Sequence, residues 1–350
     1  MTKQREFGLD LTRAAAVILV LSVHFFLNSG YYQFLLLGKT MALATVARMA
    51  CMTCVPLFMM LTGWLCIDRR WSPGYYRKLL PILLTYVLVG CICMAVSVAR
   101  TGVEITPRDA VLRLLDFTAA PYGWYIEMYI GLFLLSPFLN AAWKGLNDRE
   151  RLALVITMLA LTAVPDLINI EDKLLPGWWI NAYPLTYYFL GAWLREHPIR
   201  AKGWALFLGW LGLAAAASGL AFALHRGEAF GFAEWNHWGS LLVVGESVCL
   251  FSLLVRCKGT GVPAPARWCV RKLSQLSLPL YLLSYITDQL LYPHLTAAFP
   301  DMLGRLPWMP VMVLAGLLGA GAMAQAVDCA VEALMRLAPK ISTPRHTKES

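Results

Sequence analysis

The sequence predicts an all-α, polytopic membrane helical bundle, and two observations carry this prediction. The first is composition: of the 350 residues, 59% are hydrophobic and only 15% are charged, which excludes a disordered chain and an ordinary soluble domain. The second is the recurrence of apolar stretches of about 17–25 residues, the length that a helix needs to cross a bilayer. We expect about ten spans in one transmembrane domain (1–340), followed by a short polar cytoplasmic tail (341–350).

Each predicted span is an apolar run bounded by short loops that hold most of the charge. The loops leave no room for a soluble catalytic domain. Asp10 and Arg13 interrupt the first run and no small-residue cleavage site follows it, so we expect this span to be retained rather than removed as a signal peptide. In chain order, the predicted spans are 9–27, 46–66, 79–99, 124–143, 150–167, 178–194, 203–224, 238–255, 274–295 and 308–335.

The basic residues predict the orientation of these spans. With the N-terminus in the cytoplasm, 21 of the 30 Lys and Arg residues fall in cytoplasmic loops and seven fall in loops on the opposite side. Cytoplasmic loops are enriched in Lys and Arg, so we expect both termini in the cytoplasm. We therefore attribute the net charge of +9 to orientation and to anionic lipid of the bilayer, and we expect no nucleic-acid partner.

The nine cysteines do not follow the spacing of a metal site. Cys51 and Cys54 form a C-x-x-C, but it lies inside an apolar helical run without a second pair or a histidine at ligand spacing. Buried thiols commonly pack as small hydrophobic side chains. We expect no metal site and no permanently bound cofactor.

Arg13 and His24 are the strongest functional candidates, because charge inside a membrane is costly. They are eleven positions apart in the first span, which puts them about 20° apart on one helix face and about 16 Å apart along the axis. A ligand can span this depth, with an anionic group at Arg13 and a reactive group at His24. Asp10, one turn earlier, can orient the guanidinium. The alternative is that Arg13 only anchors the helix and His24 only hydrogen-bonds another helix.

A second basic cluster follows the second span, at Arg69, Arg70, Arg77 and Lys78, and it is interleaved with aromatic residues. Arginine can bind phosphate bidentately, and aromatic rings can stack on a purine. The alternative is a positive-inside loop with an interfacial aromatic belt.

Five segments follow one another in a characteristic order: LDLTRAAAVILVLSVHFFLN, VPLFMMLTGWL, WYIEMYIGLFLLSPFLN, YPLTYYFLGAWL and SLPLYLLSYITDQLLYPHL. The first contains an arginine, ten residues and then a histidine. In order and spacing the five resemble the acyltransferase-3 family of integral membrane acyltransferases, from about Leu9 to His294.

The resemblance implies an O-acyltransferase of the bacterial cytoplasmic membrane, with acetyl-CoA or another acyl-CoA as cytoplasmic donor and a hydroxyl of a cell-envelope glycan as acceptor on the other side. Its motif positions match Arg13 and His24, so we expect His24 to act as the general base and Arg13 to bind the CoA phosphates. Family members often carry R-x-x-R at the start of the third helix. Here Leu80 stands at the second arginine position, so the expectation that this loop also binds the CoA phosphates rests on Arg69, Arg70, Arg77 and Lys78.

For the acceptor, Glu127 lies at the external end of the fourth span beside Trp124 and Tyr125, on which a sugar can stack. We expect Glu127 to hydrogen-bond an acceptor hydroxyl or to support His24. Arg48 and Asp288 are further candidates for binding the acceptor. The alternatives are an aromatic belt, a snorkelling Arg48 and an Asp288 paired within the bundle.

A transporter or flippase is the alternative function, because intramembrane charged residues serve a substrate path equally well. Paired broken helices in inverted halves, which would favour a transporter, are not evident in the sequence. A purely structural scaffold leaves the shared face of Arg13 and His24 unexplained. The sequence does not indicate the oligomeric state.

Overall fold

The computed structural model describes residues 6–169, 172–231 and 236–337, and within these ranges it is a helical bundle with no β-strand. This confirms the predicted all-α polytopic fold. The predicted polar tail lies outside the described residues. The α-helices are α1 (Phe7–Asn28), α2 (Gly38–Cys51), α3 (Cys54–Cys66), α4 (Leu80–Thr101), α5 (Pro107–Leu115), α6 (Trp124–Gly145), α7 (Asp148–Thr162), α8 (Val164–Ile168), α9 (Tyr183–Glu196), α10 (Gly203–His225), α11 (Leu241–Val255), α12 (Ala264–Ala298), α13 (Met302–Arg305) and α14 (Met309–Leu337).

Helical segments cover all ten predicted spans, but not all are long and apolar enough to identify a membrane crossing. Among the described residues, seven helical stretches meet that condition. The other three predicted spans correspond to α9, α11 and α12. The first two have only 14 and 15 residues, whereas α12 has 35 but is rich in polar side chains. Length and hydropathy therefore support seven crossings, and the count of ten stays a prediction. The seven stretches are Phe7–Gln33, Gly38–Cys66, Tyr76–Thr101, Trp124–Gly145, Asp148–Ile168, Gly203–His225 and Met302–Leu337.

Contacts between helix ends group the loops into two sets. At the predicted cytoplasmic side, the end of α9 meets the loop after α3, where Arg195 Nη2 lies 2.6 Å from Asp68 Oδ2. At the other side, Arg305 Nη1 donates to the Ser29 carbonyl at the end of α1, at 2.6 Å. Each contact joins two loops that the distribution of Lys and Arg assigns to the same side of the membrane.

Helices α3 and α9 pack backbone against backbone because glycine occurs on both. A Cβ atom at Gly63 would collide with the Tyr188 carbonyl, and one at Gly191 would collide with the Met60 carbonyl. The absence of side chains at Gly63 and Gly191 therefore lets the two helices approach closely. This packing fixes the position of α3, which forms one wall of the cavity described below.

The second predicted span (46–66) is interrupted between α2 and α3, and Pro56 is the physical reason. Proline has no amide hydrogen for the carbonyl four residues earlier, and its ring crowds that carbonyl. At the break, the Thr53 hydroxyl and the Trp210 indole N–H both donate to the Ala50 carbonyl, at 3.0 and 3.1 Å.

Candidate active site

Helices α1 and α12 lie side by side and provide both ends of the candidate site. Near the start of α1, Arg13 Nη1 donates to Ser274 Oγ at 3.2 Å, and Ser274 Oγ donates to Asp10 Oδ1 at 2.7 Å. Ser274 of α12 is thus hydrogen-bonded to both Arg13 and Asp10. Farther along both helices, His24 meets Ser284. Residue numbers increase along both helices from the first contact to the second, so α1 and α12 run parallel between Arg13 and His24.

His24 is buried, at 6% exposed, and its Nδ1 atom has two polar neighbours on α12. Ser284 Oγ lies 3.2 Å from Nδ1, and Asp288 Oδ2 lies 3.4 Å from it. A carboxylate at this position favours the tautomer that carries its proton on Nδ1, which leaves Nε2 as a proton acceptor. Asp288, expected at the acceptor, therefore lies against His24.

Tyr122 and Asn28 complete the surroundings of this pair. The Tyr122 ring packs on the imidazole of His24 with 3.9 Å between centroids, and its hydroxyl donates to Asp288 Oδ2 at 2.9 Å. Asn28 Nδ2 donates to the His24 carbonyl at 2.8 Å and to the Tyr122 hydroxyl at 3.2 Å. These contacts fix the carboxylate as well as the ring, so the orientation of His24 is built into the bundle.

A cavity of about 420 Å³ extends from the predicted cytoplasmic side toward His24, between α1, α3, α4, α6 and α12. Arg13 and Arg69 both line it. The structure thus brings together the candidate arginine of the first span and one arginine of the basic cluster that follows the second span. From Cys66 to Val55 on α3, the lining spans about 16 Å at 1.5 Å per residue. Beyond the arginines, most of its lining is apolar or aromatic, including Val20, Phe58, Leu61, Ile82 and Tyr129.

The backbone that carries Arg69 is anchored by neighbouring helices. Asn140 of α6 donates through Nδ2 to the carbonyls of Cys66 and Arg69, both at 2.7 Å, and its Oδ1 accepts from Tyr188 at 2.6 Å. Next to Arg69, partial burial of Asp68 opposes its ionisation, but the hydrogen bond and charge of Arg195 outweigh this and lower the Asp68 pKa. The loop therefore presents Arg69 from a fixed backbone.

The rest of the second basic cluster does not line this cavity. Arg70, Arg77 and Lys78 are exposed, and the Lys78 ammonium lies 5.6 Å from the centroid of the buried Tyr75 ring. Tyr75 stacks on Phe133 of α6 at 4.7 Å between centroids, which docks this part of the loop on the bundle.

The predicted acceptor residues of α6 point to different places. Tyr125 lines the cavity, whereas Glu127 is exposed on the first turn of the helix. Trp124 stacks on Trp238 with 4.7 Å between centroids, and the His237 ring lies 5.2 Å from Trp238. Trp124 also contacts Tyr125 edge to face, with 6.1 Å between ring centroids, and the role of these rings in binding a sugar stays a prediction. Burial, followed by the charge of Arg48, lowers the pKa of His237.

Arg48 is fully buried in α2, away from the cavity. Its Nε donates to the Tyr32 hydroxyl at 3.4 Å, its Nη1 donates to the Asn236 carbonyl at 3.4 Å, and its guanidinium lies 4.6 Å from the Phe230 ring centroid. These contacts tie α2 to the loop before α11.

In the described part of the chain, no three His, Cys, Asp or Glu side chains come together as a metal site requires.

Sequence reasoning identified Asp288 as a candidate but missed Ser274, Ser277 and Tyr281, which join the two ends of the site. With Ser284 and Asp288 they recur every three or four positions and form one stripe of α12. That period is visible in the sequence and could have identified the face, although not its partner helix. Tyr122 precedes α6 and follows no such pattern.

Comparisons with known proteins agree with the resemblance found in the sequence. A family model described as an acyltransferase domain matches residues 6–325 of the 350-residue chain. No curated protein and no solved structure gives a significant match.

Proposed function

The chain belongs to the acyltransferase-3 family, whose domain model spans residues 6–325, and we propose that it transfers an acyl group, acetyl in particular, from cytoplasmic acyl-CoA to a hydroxyl of a cell-envelope glycan. One observation carries the proposal. The cavity that begins at Arg13 and Arg69 leads toward His24, which is paired with Asp288. An anion site and a general base are thus aligned along one pair of helices.

The donor end suits a long ligand with a phosphate-rich head. Arg13 and Arg69 provide two guanidinium groups for phosphates, and the apolar and aromatic wall beyond them accommodates the less polar pantetheine arm. The distance along α1 from Arg13 to His24 is about 16 Å, so the thioester is carried into the membrane while the phosphates stay at the cytoplasmic side.

The reacting end suits proton transfer from an alcohol. His24 Nε2 takes the proton of the acceptor hydroxyl, and the acceptor oxygen forms a C–O bond with the thioester carbonyl carbon. The C–S bond then breaks, and the imidazolium returns the proton to the departing CoA thiolate, so atoms and charge balance. Asp288 acts as a positioning residue, because its carboxylate holds Nδ1 and stabilises the imidazolium that forms.

The acceptor approaches from the side opposite the arginines. Trp124 is partly exposed and stacks on Trp238, which gives a flat aromatic surface near the start of α6. Tyr122, two residues before Trp124, packs directly on His24. We propose that a sugar bound at this surface directs a hydroxyl toward His24, since aromatic surfaces suit the apolar faces of sugar rings.

The proposal is tested with [¹⁴C]acetyl-CoA, purified protein in liposomes and extracted cell-envelope polysaccharide. We expect His24→Ala to reduce label transfer by about 10²–10⁴-fold, the usual contribution of a general base. Asp288→Asn should reduce it in the same direction with little change in KM for acetyl-CoA, since Asp288 does not line the cavity. His294→Ala is the matched control, because His294 is exposed on the same half of α12.

Transfer at the wild-type rate by a folded His24→Ala protein would refute the role of His24. Substrate uptake into the liposomes that is independent of acetyl-CoA, with no label transferred, would instead favour the transporter alternative.

A further inference from the structure

The cavity and His24 are separated by a layer of tyrosine side chains. The cavity is lined at its inner end by Tyr281 and Tyr125, and His24 is not part of its lining. The Tyr281 ring lies 6.1 Å from the imidazole and 6.1 Å from the Tyr125 ring, centroid to centroid. A thioester held in the cavity therefore meets Tyr281 before it meets His24.

Tyr281 is held in this position by a hydrogen bond to the backbone just before α6. Its hydroxyl donates to the Tyr122 carbonyl, and the Tyr122 ring in turn covers His24. The two tyrosine rings are nearly parallel, at 18°, with 6.3 Å between centroids. The same pair of residues thus closes the cavity on one side and contacts the candidate base on the other.

From this geometry we infer that Tyr281 is a gating residue, which must leave the Tyr122 carbonyl before a thioester can reach His24. The inference rests on the proposed function for the identity of the ligand, but the closed layer is a property of the packing itself. Tyr281 acts as a positioning residue, because it controls access to His24 without contacting the reacting atoms in the closed arrangement.

Helix α12 has a built-in point of flexibility next to this residue. Pro279 lies inside the helix, two positions before Tyr281, and it cannot donate a hydrogen bond to the Gln275 carbonyl. Gln275 itself lines the cavity. Proline is the commonest site of a helix kink, so a small bend here moves Tyr281 relative to Tyr122 without breaking a helical hydrogen bond.

Such a gate protects the donor from water. With the path open and no acceptor present, water can replace the alcohol. Its oxygen forms the new C–O bond and the C–S bond breaks; one proton of the water passes to the CoA thiol, and the other stays on the carboxylic acid that is released. The closed Tyr281 confines the thioester to the cavity until the gate opens, and it also seals the path between the two sides of the membrane.

Access is measured directly by placing a thiol next to His24. Ser284→Cys, alone or with Tyr281→Ala or Tyr281→Phe, is treated in inside-out vesicles with anionic 2-sulfonatoethyl methanethiosulfonate, which Arg13 and Arg69 attract. Peptide mass spectrometry follows the introduced thiol, and Cys66 in the cavity lining is the reference. Tyr129→Phe is the matched control, since it removes another hydroxyl of the cavity lining without touching Tyr122.

We expect Tyr281→Ala to raise the rate of labelling at position 284, relative to Cys66, at least tenfold, Tyr281→Phe to raise it less, and Tyr129→Phe to leave it unchanged. Without Ser284→Cys, Tyr281→Ala should raise thiol release from acetyl-CoA in the absence of acceptor at least fivefold. Unchanged labelling in a folded Tyr281→Ala protein would overturn the gate. Increased labelling without thiol release in any variant would support the gate and contradict the acyl-CoA proposal.

Discussion

Arg13 and Arg69 reach the same cavity from different parts of the chain and are held in different ways. Arg13 is positioned by Ser274 of the neighbouring helix, whereas the backbone of Arg69 is fixed by Asn140. Neither arrangement uses the R-x-x-R position at which the sequence has Leu80. The phosphate site proposed here therefore does not need the missing arginine.

Neutralising either cavity arginine should weaken donor binding. A hydrogen bond to a charged group contributes about 1.5–3 kcal/mol, so we expect Arg13→Gln and Arg69→Gln each to raise KM for acetyl-CoA about tenfold or more. Arg77→Gln should leave KM within about twofold, because Arg77 is exposed and does not line the cavity. Steady-state thiol release measures all three. A larger effect of Arg77 than of Arg69 would contradict this assignment.

The predicted pair on α1 could be recognised because both residues lie on one helix, where the 3.6-residue period fixes their relation. Asp288 could be identified as an intramembrane carboxylate, but not as the partner of His24. That contact joins residues 264 positions apart and depends on how α1 and α12 pack, which no local pattern encodes. For the same reason the sequence does not indicate that Arg48 packs against Tyr32 and Phe230, and its role in binding the acceptor stays a prediction.

At the scale of helices, apolar runs predicted the long elements and missed the short, polar helix α5. Helix α5 has nine residues, with Val111, Leu112 and Leu115 exposed on a segment that also carries Arg108 and Arg113. It is too short and too polar to register as a span. Helix α12 is long enough to cross a membrane, but the polar side chains of its site face lower its mean hydropathy. It is therefore not among the seven stretches that are identified by length and hydropathy.

Asn140 links three helical elements, and its removal should affect the donor site more than the fold. In Asn140→Ala the Arg69 carbonyl and the Tyr188 hydroxyl lose the partner that Asn140 provides, whereas the Cys66 carbonyl keeps its hydrogen bond from the Arg69 amide. A buried group left unpaired costs about 1–3 kcal/mol. We expect a lower melting temperature and a KM for acetyl-CoA raised several-fold, because the loop that carries Arg69 is loosened.

Asn147→Ala is the control for this variant. Asn147 caps α7 in a capping box on the same side of the molecule, but it does not contact the Arg69 loop. It should lower the melting temperature by the effect of a lost cap without changing KM. If Asn140→Ala lowers only the melting temperature as well, the loop does not depend on Asn140 for its position.

Across the whole molecule, the distribution of charge and the location of the cavity agree. The loops on the predicted cytoplasmic side carry 21 of the 30 Lys and Arg residues, and the two arginines of the cavity lie at that side. On the proposed function, the basic loops that orient the protein also raise the local concentration of a polyanionic donor at the mouth of the cavity. Orientation and donor recruitment then depend on the same residues.

Because the basic loops and the cavity lie on the same side, we predict that the donor is used from one side of the membrane only. In sealed vesicles of known orientation, membrane-impermeant acetyl-CoA should be consumed only when it is added to the side of Arg13 and Arg69, because a donor on the other side has no access to the cavity. Thiol release from inside-out vesicles should therefore exceed that from right-side-out vesicles at least tenfold, and detergent should make the two equal. It should also fall as salt is added, since screening weakens the attraction of the basic loops. Equal rates in intact vesicles of both orientations would show that the donor reaches His24 by another route, and would contradict the assignment of the cavity to CoA.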